Sequence, residues 1–189
     1  MGCGAGTYSR LLASHGLQVI GMDYSLLTLI KARERSDQVR LWCAADATRL
    51  PVRAQSFDGA LCFGVMQALS QPDAALRELS ATVKPEGELW IDALNIWCAP
   101  NLLRTIWRKF RGQPMHLRYD SPWVLKRLLI AQGFQSVSLY WVPILPTRWQ
   151  RFQPWVEIPV FRALLHAITP LGALLSHAVV VSAKRGAAR

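Results

Sequence analysis

Residues 17–94 alternate short apolar runs with segments of helical periodicity, and this alternation limits the fold more than any other feature of the chain. Helical segments lie at 25–35 and 73–83. The apolar runs have the length and composition of buried strands, at 17–22, 39–44, 57–62 and 88–94. Strands that alternate with helices form a parallel sheet covered by helices on both faces. The sequence therefore predicts an α/β fold with a doubly wound, Rossmann-like sheet.

The pattern after residue 95 is less regular. Ser121 followed by Pro122 is typical of a helix start, with Ser as the cap and Pro at the first helical position. The sequence predicts a basic amphipathic helix at 101–110, a helix from 122 that Gly133 ends, a strand at 134–142, an irregular Pro- and Trp-rich insertion at 143–177 and a last strand at 178–183.

One stretch, residues 163–183, has no charged residue and about the length of a bilayer span. Pro170 and Gly172 interrupt it in the middle, where a spanning helix would be continuous. We therefore expect a short amphipathic helix, a turn and a buried strand there.

Charge is distributed unevenly along the 189 residues. Residues 1–100 carry 9 Lys and Arg against 10 Asp and Glu, whereas residues 101–189 carry 13 against 2. The net charge of +10 therefore belongs to the second half. The four cysteines are far apart and include no Cys-x-x-Cys pair, which argues against a disulfide scaffold or a zinc site. This spacing is typical of reduced thiols in a cytoplasmic protein.

A glycine-rich turn, Gly2-Cys3-Gly4-Ala5-Gly6, precedes a helical segment that starts near Tyr8. Glycine lets the backbone approach a ligand closely, and the free N–H groups of a helix N-terminus can meet polar groups of that ligand. The spacing Gly-x-Gly-x-Gly differs from the dinucleotide fingerprint, since Thr7 replaces its last glycine. The turn alone therefore predicts a ligand without specifying it.

Polar and aromatic residues follow three of the predicted strands. Asp23 ends the first, where a carboxylate can accept hydrogen bonds from both hydroxyls of a ribose. Asp46 follows the second and can accept from an exocyclic amine, and Phe63-Gly64 follows the third. Ligands of open α/β sheets bind outside the carboxyl ends of the strands, so these residues and the glycine turn predict one site.

At this level the sequence resembles the class I S-adenosylmethionine-dependent methyltransferases, in particular the group related to quinone-biosynthesis methyltransferases. The resemblance covers residues 1 to about 95 and rests on five segments: Gly2 to Gly6, Gly21-Met22-Asp23-Tyr24-Ser25, Ala45-Asp46-Ala47 through Leu50-Pro51, Ser56-Phe57-Asp58 and Val83-Lys84-Pro85-Glu86-Gly87. It implies a mostly parallel sheet whose last strand is antiparallel, and S-adenosyl-L-methionine as the cofactor. It also implies a single domain with a cofactor-binding half at 1–95 and a substrate-side half at 96–189.

The resemblance also implies the cofactor-binding residues. The turn would line the methionine and ribose part of the cofactor, Asp23 would hold the ribose hydroxyls, Asp46 and Ala47 would meet the adenine, and Phe63 would lie near the sulfonium. The full expected set is Gly2, Cys3, Gly4, Gly6, Asp23, Tyr24, Asp46, Ala47 and Phe63.

The chain departs from the family at its start. The family's motif begins with a strand that carries an acidic residue just before the first glycine, whereas this sequence begins at Met1-Gly2. In the family that strand is central in the sheet. Because neighbouring strands lie about 4.8 Å apart, its neighbours could not hydrogen-bond to each other across the gap. We therefore expect an N-terminally truncated sheet, or a translation start farther upstream.

Methyl transfer needs mainly proximity and orientation, and a base only where the acceptor must lose a proton. Among the histidines, His116 is the weak candidate for a base, because with Tyr119 it lies in the region where the family often places acceptor contacts. No metal site is expected. The acceptor is predicted to be a small or lipid-like metabolite.

The basic second half leaves several interpretations open. The helix at 101–110 and the insertion at 143–177 combine basic and aromatic residues, as helices at a membrane surface do. The same helix could instead be an active-site lid packed on its own domain, or contact nucleic acid. The chain is expected in the cytoplasm, with peripheral contact at the inner membrane face. Methylation of RNA or protein, and a non-catalytic binding module, remain as alternatives.

Overall fold

The structure is a computed structural model that describes residues 1–35, 38–39, 41–114, 117–145 and 147–187. Its α-helices are α1 (Thr7–Ser14), α2 (Leu26–Glu34), α3 (Pro72–Thr82), α4 (Ala99–Phe110), α5 (Pro122–Ala131), α6 (Gln153–Val156), α7 (Pro159–Ala167) and α8 (Thr169–Leu175). Its strands are β1 (Ile20–Asp23), β2 (Leu41–Ala44), β3 (Phe57–Cys62), β4 (Val83–Leu94), β5 (Phe134–Val142) and β6 (Ala178–Arg185). Short 3-10 helices span Met66–Ala68 and Thr147–Phe152.

The strands form two sheets within the described residues. One contains β1 and β2 in parallel, and the other has the order β3-β4-β6-β5. In the second sheet β3 and β4 are parallel, and β6 is antiparallel to both of its neighbours. This confirms the prediction of an α/β methyltransferase-like sheet that is mostly parallel with an antiparallel last strand.

The expected gap lies between β1 and β3, which share no ladder in the described part of the chain. The first three residues lie between these two strands. The amino group of Met1 donates to the carbonyl of Leu61 at 2.7 Å, and the backbone N–H of Cys3 donates to the carbonyl of Met22 at 2.9 Å. Two backbone hydrogen bonds therefore connect the start of the glycine turn to both sheets.

The core lies on one face of the four-stranded sheet. Alternate residues of a strand point to the same face, so β4 and β6 each bury every second residue there. Side chains from α3, α5 and α7 cover this face: Leu76, Leu79, Leu125, Leu129 and Leu165, all at most 4% exposed. This layer fixes the positions of the strand ends that form the site.

Strand β4 begins earlier than the predicted strand at 88–94. Residues 84–87 lie inside it, where Glu86 has a φ of +62° and the pairing with β3 shifts register. Two further local predictions were wrong. Ser121 precedes α5 as expected, but its hydroxyl accepts a hydrogen bond from Trp97 Nε1 at 3.2 Å instead of capping the helix. Residues 143–177 are largely helical instead of irregular, because α6, α7 and α8 each begin with a proline in the first turn.

In the stretch 163–183, the end of α7 and the strand β6 confirm the predicted helix and strand, whereas the helix α8 lies where a turn was expected. Within the described ranges, no helix has both the length and the apolar character needed to cross a bilayer.

Candidate functional site

A cavity of about 580 Å³ opens at the carboxyl ends of β1, β2 and β3. We call it the larger cavity. It is lined by Met1, Gly2, Asp23, Tyr24, Asp46, Ala47, Thr48, Phe63, Gly64, Val65, Ala68, Leu69, Ser70 and Gln71. The structure thus brings six of the nine expected cofactor residues together around one space, from segments that are far apart in the sequence.

The glycine turn adopts a backbone that only glycine takes easily. Gly2, Gly4 and Gly6 have φ values of +70°, +52° and +79°, in the left-handed region. A Cβ on Gly2 would overlap Cγ2 of Val65, whereas a Cβ on Gly4 would meet no atom within 4 Å. Gly2 therefore allows close packing against the loop after β3, and Gly4 leaves open space beside the turn.

Asp23 joins the turn to the next helix. Its Oδ2 accepts a hydrogen bond from the backbone N–H of Gly4 at 2.8 Å, and its Oδ1 accepts from the N–H of Ser25 at 2.9 Å. Ser25 in turn caps α2, accepting from the N–H of Thr28 at 3.3 Å. A carboxylate has about four acceptor positions, so Asp23 keeps capacity for donors on a ligand in the cavity.

Asp46 presents a free carboxylate oxygen. Its Oδ1 accepts hydrogen bonds from the backbone N–H and the hydroxyl of Thr48, both at 2.8 Å. These bonds hold the pKa of Asp46 below its usual value, so the group is ionised and accepts only. Oδ2 has no hydrogen-bond partner among the described residues. It can accept from an amine of a ligand that reaches this end of the cavity.

The opposite wall is the loop after β3. The ring of Phe63 packs edge-on against Tyr8, with 5.3 Å between ring centroids. The backbone N–H of Gly64 donates to Oδ1 of Asp92 at 2.7 Å. Burial raises the pKa of Asp92 above its usual value, although the hydrogen bond from Gly64 opposes this effect. Asp92 therefore fixes the loop that carries Phe63.

Three expected cofactor residues do not line the larger cavity. A Cβ on Gly6 would lie 2.7 Å from Cη2 of Trp42, so Gly6 faces the packing between α2 and β2. Gly4 does not line the cavity itself, but its backbone N–H donates to Asp23, which does. Cys3 places its thiol 3.7 Å from the carbonyl of Gly4, and burial raises the pKa of this thiol to about 11. The thiol is neutral at neutral pH and is not a nucleophile there.

His116, the residue predicted as a candidate general base, lies outside the described residues. His15, His166 and His177 do not line the larger cavity. His177 is instead half-buried, and burial together with nearby Arg104 lowers its pKa.

One wall of the larger cavity was not predicted from the sequence. This wall is the segment from Val65 to Gln71, which includes a 3-10 helix of three residues. Gly64, with a φ of +75°, ends the strand and starts this segment. A short 3-10 helix has no extended periodicity, so the glycine was the one usable signal.

Residues 1–91 match the sequence profile of a family described as a methyltransferase domain. The chain is 26% identical to the ubiquinone biosynthesis O-methyltransferase of Idiomarina loihiensis over 149 residues, which are 74% of this chain and 61% of that protein. It is 31% identical to the protein of the same name from Coxiella burnetii, over 50% of this chain and 42% of that protein.

Over residues 1–91 the chain matches a methyltransferase domain, and it is similar to the class I methyltransferases of quinone biosynthesis. This confirms the resemblance inferred from the sequence. The chain spans less than two thirds of the length of these two curated relatives. The magnesium protoporphyrin IX methyltransferase from Synechocystis PCC 6803, solved with bound SAH, superposes with a TM-score of 0.66 at 17% identity, over 98% of this chain and 72% of that one. This likeness shows the fold.

Methyltransferases of this family take their methyl group from S-adenosylmethionine, and the larger cavity of this chain fits that cofactor. The cavity volume is in the range of small-molecule sites. Its two aspartates provide acceptors for hydroxyl and amine donors, and Phe63 and Ala47 provide apolar surface for a ring.

Proposed function

We propose that this methyltransferase transfers a methyl group from S-adenosylmethionine to an O, N or C atom of a small or lipid-like acceptor. The observation that carries the proposal is the meeting of the glycine turn, Asp23 and Asp46 around one cavity at the strand ends. The curated relatives, described as ubiquinone biosynthesis O-methyltransferases, support a small-molecule acceptor.

Each residue has a physical role in this proposal. Asp23 accepts hydrogen bonds from the ribose hydroxyls while Gly4 and Ser25 hold its carboxylate in place. Asp46 accepts from the adenine amine through Oδ2, and Ala47 packs beside the ring. Phe63 covers the opposite side of the cavity and excludes water.

The cofactor supplies a methyl group that is already activated by its sulfonium. The protein therefore contributes mainly proximity and orientation, which can lower a barrier by about 7–11 kcal/mol. A general base is required only for an acceptor that must lose a proton, and His116 remains the candidate predicted from sequence.

Calorimetric titration of S-adenosylhomocysteine into the purified protein tests the proposal. We expect one site per chain, with the Kd raised by at least tenfold in Asp23→Asn, since the amide replaces one acceptor oxygen by a donor. Asp58→Asn is the matched control, because Asp58 is an exposed aspartate that pairs with Lys84 away from the cavity. An unmodified protein that fails to bind, or equal losses in both variants, would refute the proposal.

We also propose that α4 and the segment 147–164 contact a membrane surface. Four large apolar residues of α4 are exposed instead of packed on the domain: Leu103, Ile106, Trp107 and Phe110, with Phe110 89% exposed. This exposure argues against the alternative of a lid packed on its own domain. The second segment exposes further large apolar residues: Trp149, Phe152, Trp155, Ile158, Val160 and Leu164.

Basic residues flank both apolar surfaces. The guanidinium of Arg111 lies 3.8 Å from the ring centroid of Trp107, and that of Arg151 lies 4.7 Å from the ring centroid of Phe152. Near an anionic bilayer each such residue contributes about 1 kcal/mol of attraction, which adds to the burial of the apolar side chains.

Co-sedimentation with lipid vesicles tests this contact. We expect binding to vesicles containing phosphatidylglycerol, weaker binding to phosphatidylcholine alone, and loss at high salt because screening removes the electrostatic part. Phe110→Ser should reduce binding, whereas Leu17→Ser, at an exposed leucine outside both segments, should not. Vesicle binding that is unaffected by Phe110→Ser, or salt-sensitive binding to RNA in its place, would contradict the proposal.

Turnover separates the remaining alternatives. If the protein methylates an RNA or a protein but no small acceptor, the result would favour the macromolecular alternative. Cofactor binding without turnover on any acceptor would favour a non-catalytic binding module.

A further inference from the structure

A second, smaller cavity of about 410 Å³ adjoins the larger one. It is lined by Gln67, Ala68, Leu69, Ser70, Leu117, Arg118 and Tyr119. Ala68, Leu69 and Ser70 line both cavities, so the 3-10 helix and the residues after it form a common wall. A molecule in the smaller cavity is therefore next to the space that we assign to the cofactor.

Among the residues that the structure describes, Arg118 is the one charged residue that lines the smaller cavity. Its Nε donates to Oδ1 of Asp120 at 2.7 Å, and its backbone N–H donates to the carbonyl of Gln67 at 2.9 Å. Its two terminal nitrogens have no hydrogen-bond partner in the described part of the chain. The side chain is 42% exposed, so this edge of the guanidinium is accessible.

Asp120 holds the arginine from behind. Its side chain is 8% exposed and does not line the smaller cavity. Its backbone N–H donates to the carbonyl of Leu94 at 2.8 Å, and its carbonyl accepts from the N–H of Ile96 at 3.1 Å. The carboxylate is therefore fixed to the end of β4. The pairing leaves the outward edge of Arg118 preoriented, which reduces the entropy lost when it binds a ligand.

One buried polar atom of a lining residue lacks a partner. Oε1 of Gln67, which lines the smaller cavity, has no hydrogen-bond partner within the described residues. Buried polar atoms are nearly always hydrogen-bonded in folded proteins. An amide oxygen accepts, so it pairs with a donor of a bound molecule or a water, and Arg118 is the group on this wall that can donate to an anion.

We propose that the smaller cavity binds the methyl acceptor and that Arg118 recognises an anionic oxygen group on it. A guanidinium binds carboxylates and similar oxyanions through two parallel N–H donors, and its two terminal nitrogens are the unpaired ones here. Leu69, Leu117 and Tyr119 offer apolar surface for a carbon skeleton. The acceptor class is therefore a small organic acid with an apolar body. This proposal rests on the proposed function, since it places the acceptor beside the cofactor.

Ligand-observed NMR with benzoate and benzamide tests it, in the presence of saturating S-adenosylhomocysteine. The two probes share ring and shape and differ in the charged oxygen. We expect benzoate to bind at least fivefold more tightly than benzamide. Arg118→Met and Arg118→Lys should each weaken benzoate binding at least fivefold. Arg77→Met is the control, because Arg77 is an exposed arginine of α3 that lines neither cavity.

Two measurements keep the result unambiguous. Arg118→Met leaves the buried carboxylate of Asp120 without its partner, so thermal denaturation must show a folded variant. If that variant does not fold, Arg118→Lys decides, because lysine retains a charge for Asp120 without the bidentate edge. Calorimetry with S-adenosylhomocysteine should give the same Kd for both Arg118 variants and the unmodified protein.

Equal affinity for the two probes would overturn the assignment of Arg118, as would benzoate binding that the Arg118 variants leave unchanged. No benzoate binding by a protein that binds S-adenosylhomocysteine would also overturn it, while leaving the proposed function intact. A protein that does not bind S-adenosylhomocysteine would overturn the proposed function, and this proposal with it.

Discussion

Gly4→Ala is expected to weaken cofactor binding far more than it weakens the fold. Gly4 has a φ of +52° and no atom within 4 Å of a Cβ built on it. A left-handed alanine costs about 1–2 kcal/mol, and the smaller entropy of the unfolded chain returns about 0.4–1 kcal/mol. The net loss of stability is therefore about 1 kcal/mol. For a chain of this size it lowers Tm by about 2–4 °C.

The binding loss has a different origin. Gly4 does not line the larger cavity, but its backbone N–H holds the carboxylate of Asp23 that does, so a methyl group on Gly4 would disturb the cavity through this hydrogen bond. Crowding by one methyl group costs about 1–3 kcal/mol, which raises Kd by about 5- to 150-fold. Calorimetric titration of S-adenosylhomocysteine at a temperature well below Tm measures it.

Gly16→Ala is the matched control. Gly16 has a φ of +83°, has no atom within 4 Å of a Cβ, and follows α1 outside the cavity. It should lose a similar amount of stability and keep the Kd of the unmodified protein. Equal Kd values for the two variants would refute the role that we give to the hydrogen bond between Gly4 and Asp23 in cofactor binding.

Three further predictions concern the core and the titrating groups. Leu165→Ala should lower the free energy of unfolding in urea by about 2–5 kcal/mol, because Leu165 is fully buried, whereas Leu103→Ala on the exposed face of α4 should change it little. Alkylation of Cys3 by iodoacetamide, followed by mass spectrometry, should be slow at pH 8 and accelerate toward pH 11, because burial raises the pKa of this thiol to about 11 and the thiolate is the reactive form; fast labelling at pH 8 would contradict this burial. Burial also raises the pKa of Asp92, so the folded state binds this proton more tightly than the unfolded state and the resulting stability is lost as pH rises through the folded pKa. Asp92→Asn should therefore flatten the stability loss measured by urea unfolding between acid and neutral pH, and an unchanged pH profile would count against it.

The sequence predicted the elements whose signals are local. The alternation of β5 predicted Phe134–Val142 with both ends correct. The two aspartates were found because each follows an apolar run. In parallel sheets the ends of such runs lie at one edge, so spacing in the sequence translates into a shared cavity.

What the sequence did not predict depends on contacts between distant residues. Gly6 belongs to the expected motif, yet it faces Trp42, a neighbour that spacing within the turn cannot identify. Helices α6 and α8 and the first half of α7 were missed because prolines at their starts resemble turn signals. The smaller cavity was missed because Arg118 acquires its role only through Asp120 and the 3-10 helix.

The larger cavity has walls from two sheets that share no ladder in the described part of the chain and are joined through the start of the glycine turn. Asp23 ends one strand of the two-stranded sheet and Asp46 follows the other, whereas Phe63 follows a strand of the four-stranded sheet. A ligand that touches both walls adds a further link between the two sheets, so binding and local unfolding are thermodynamically coupled. When a ligand occupies the cavity, the amides of both sheets should therefore exchange with the same opening free energy, in one cooperative step. The ligand then contributes to the stability of the fold as well as to the reaction.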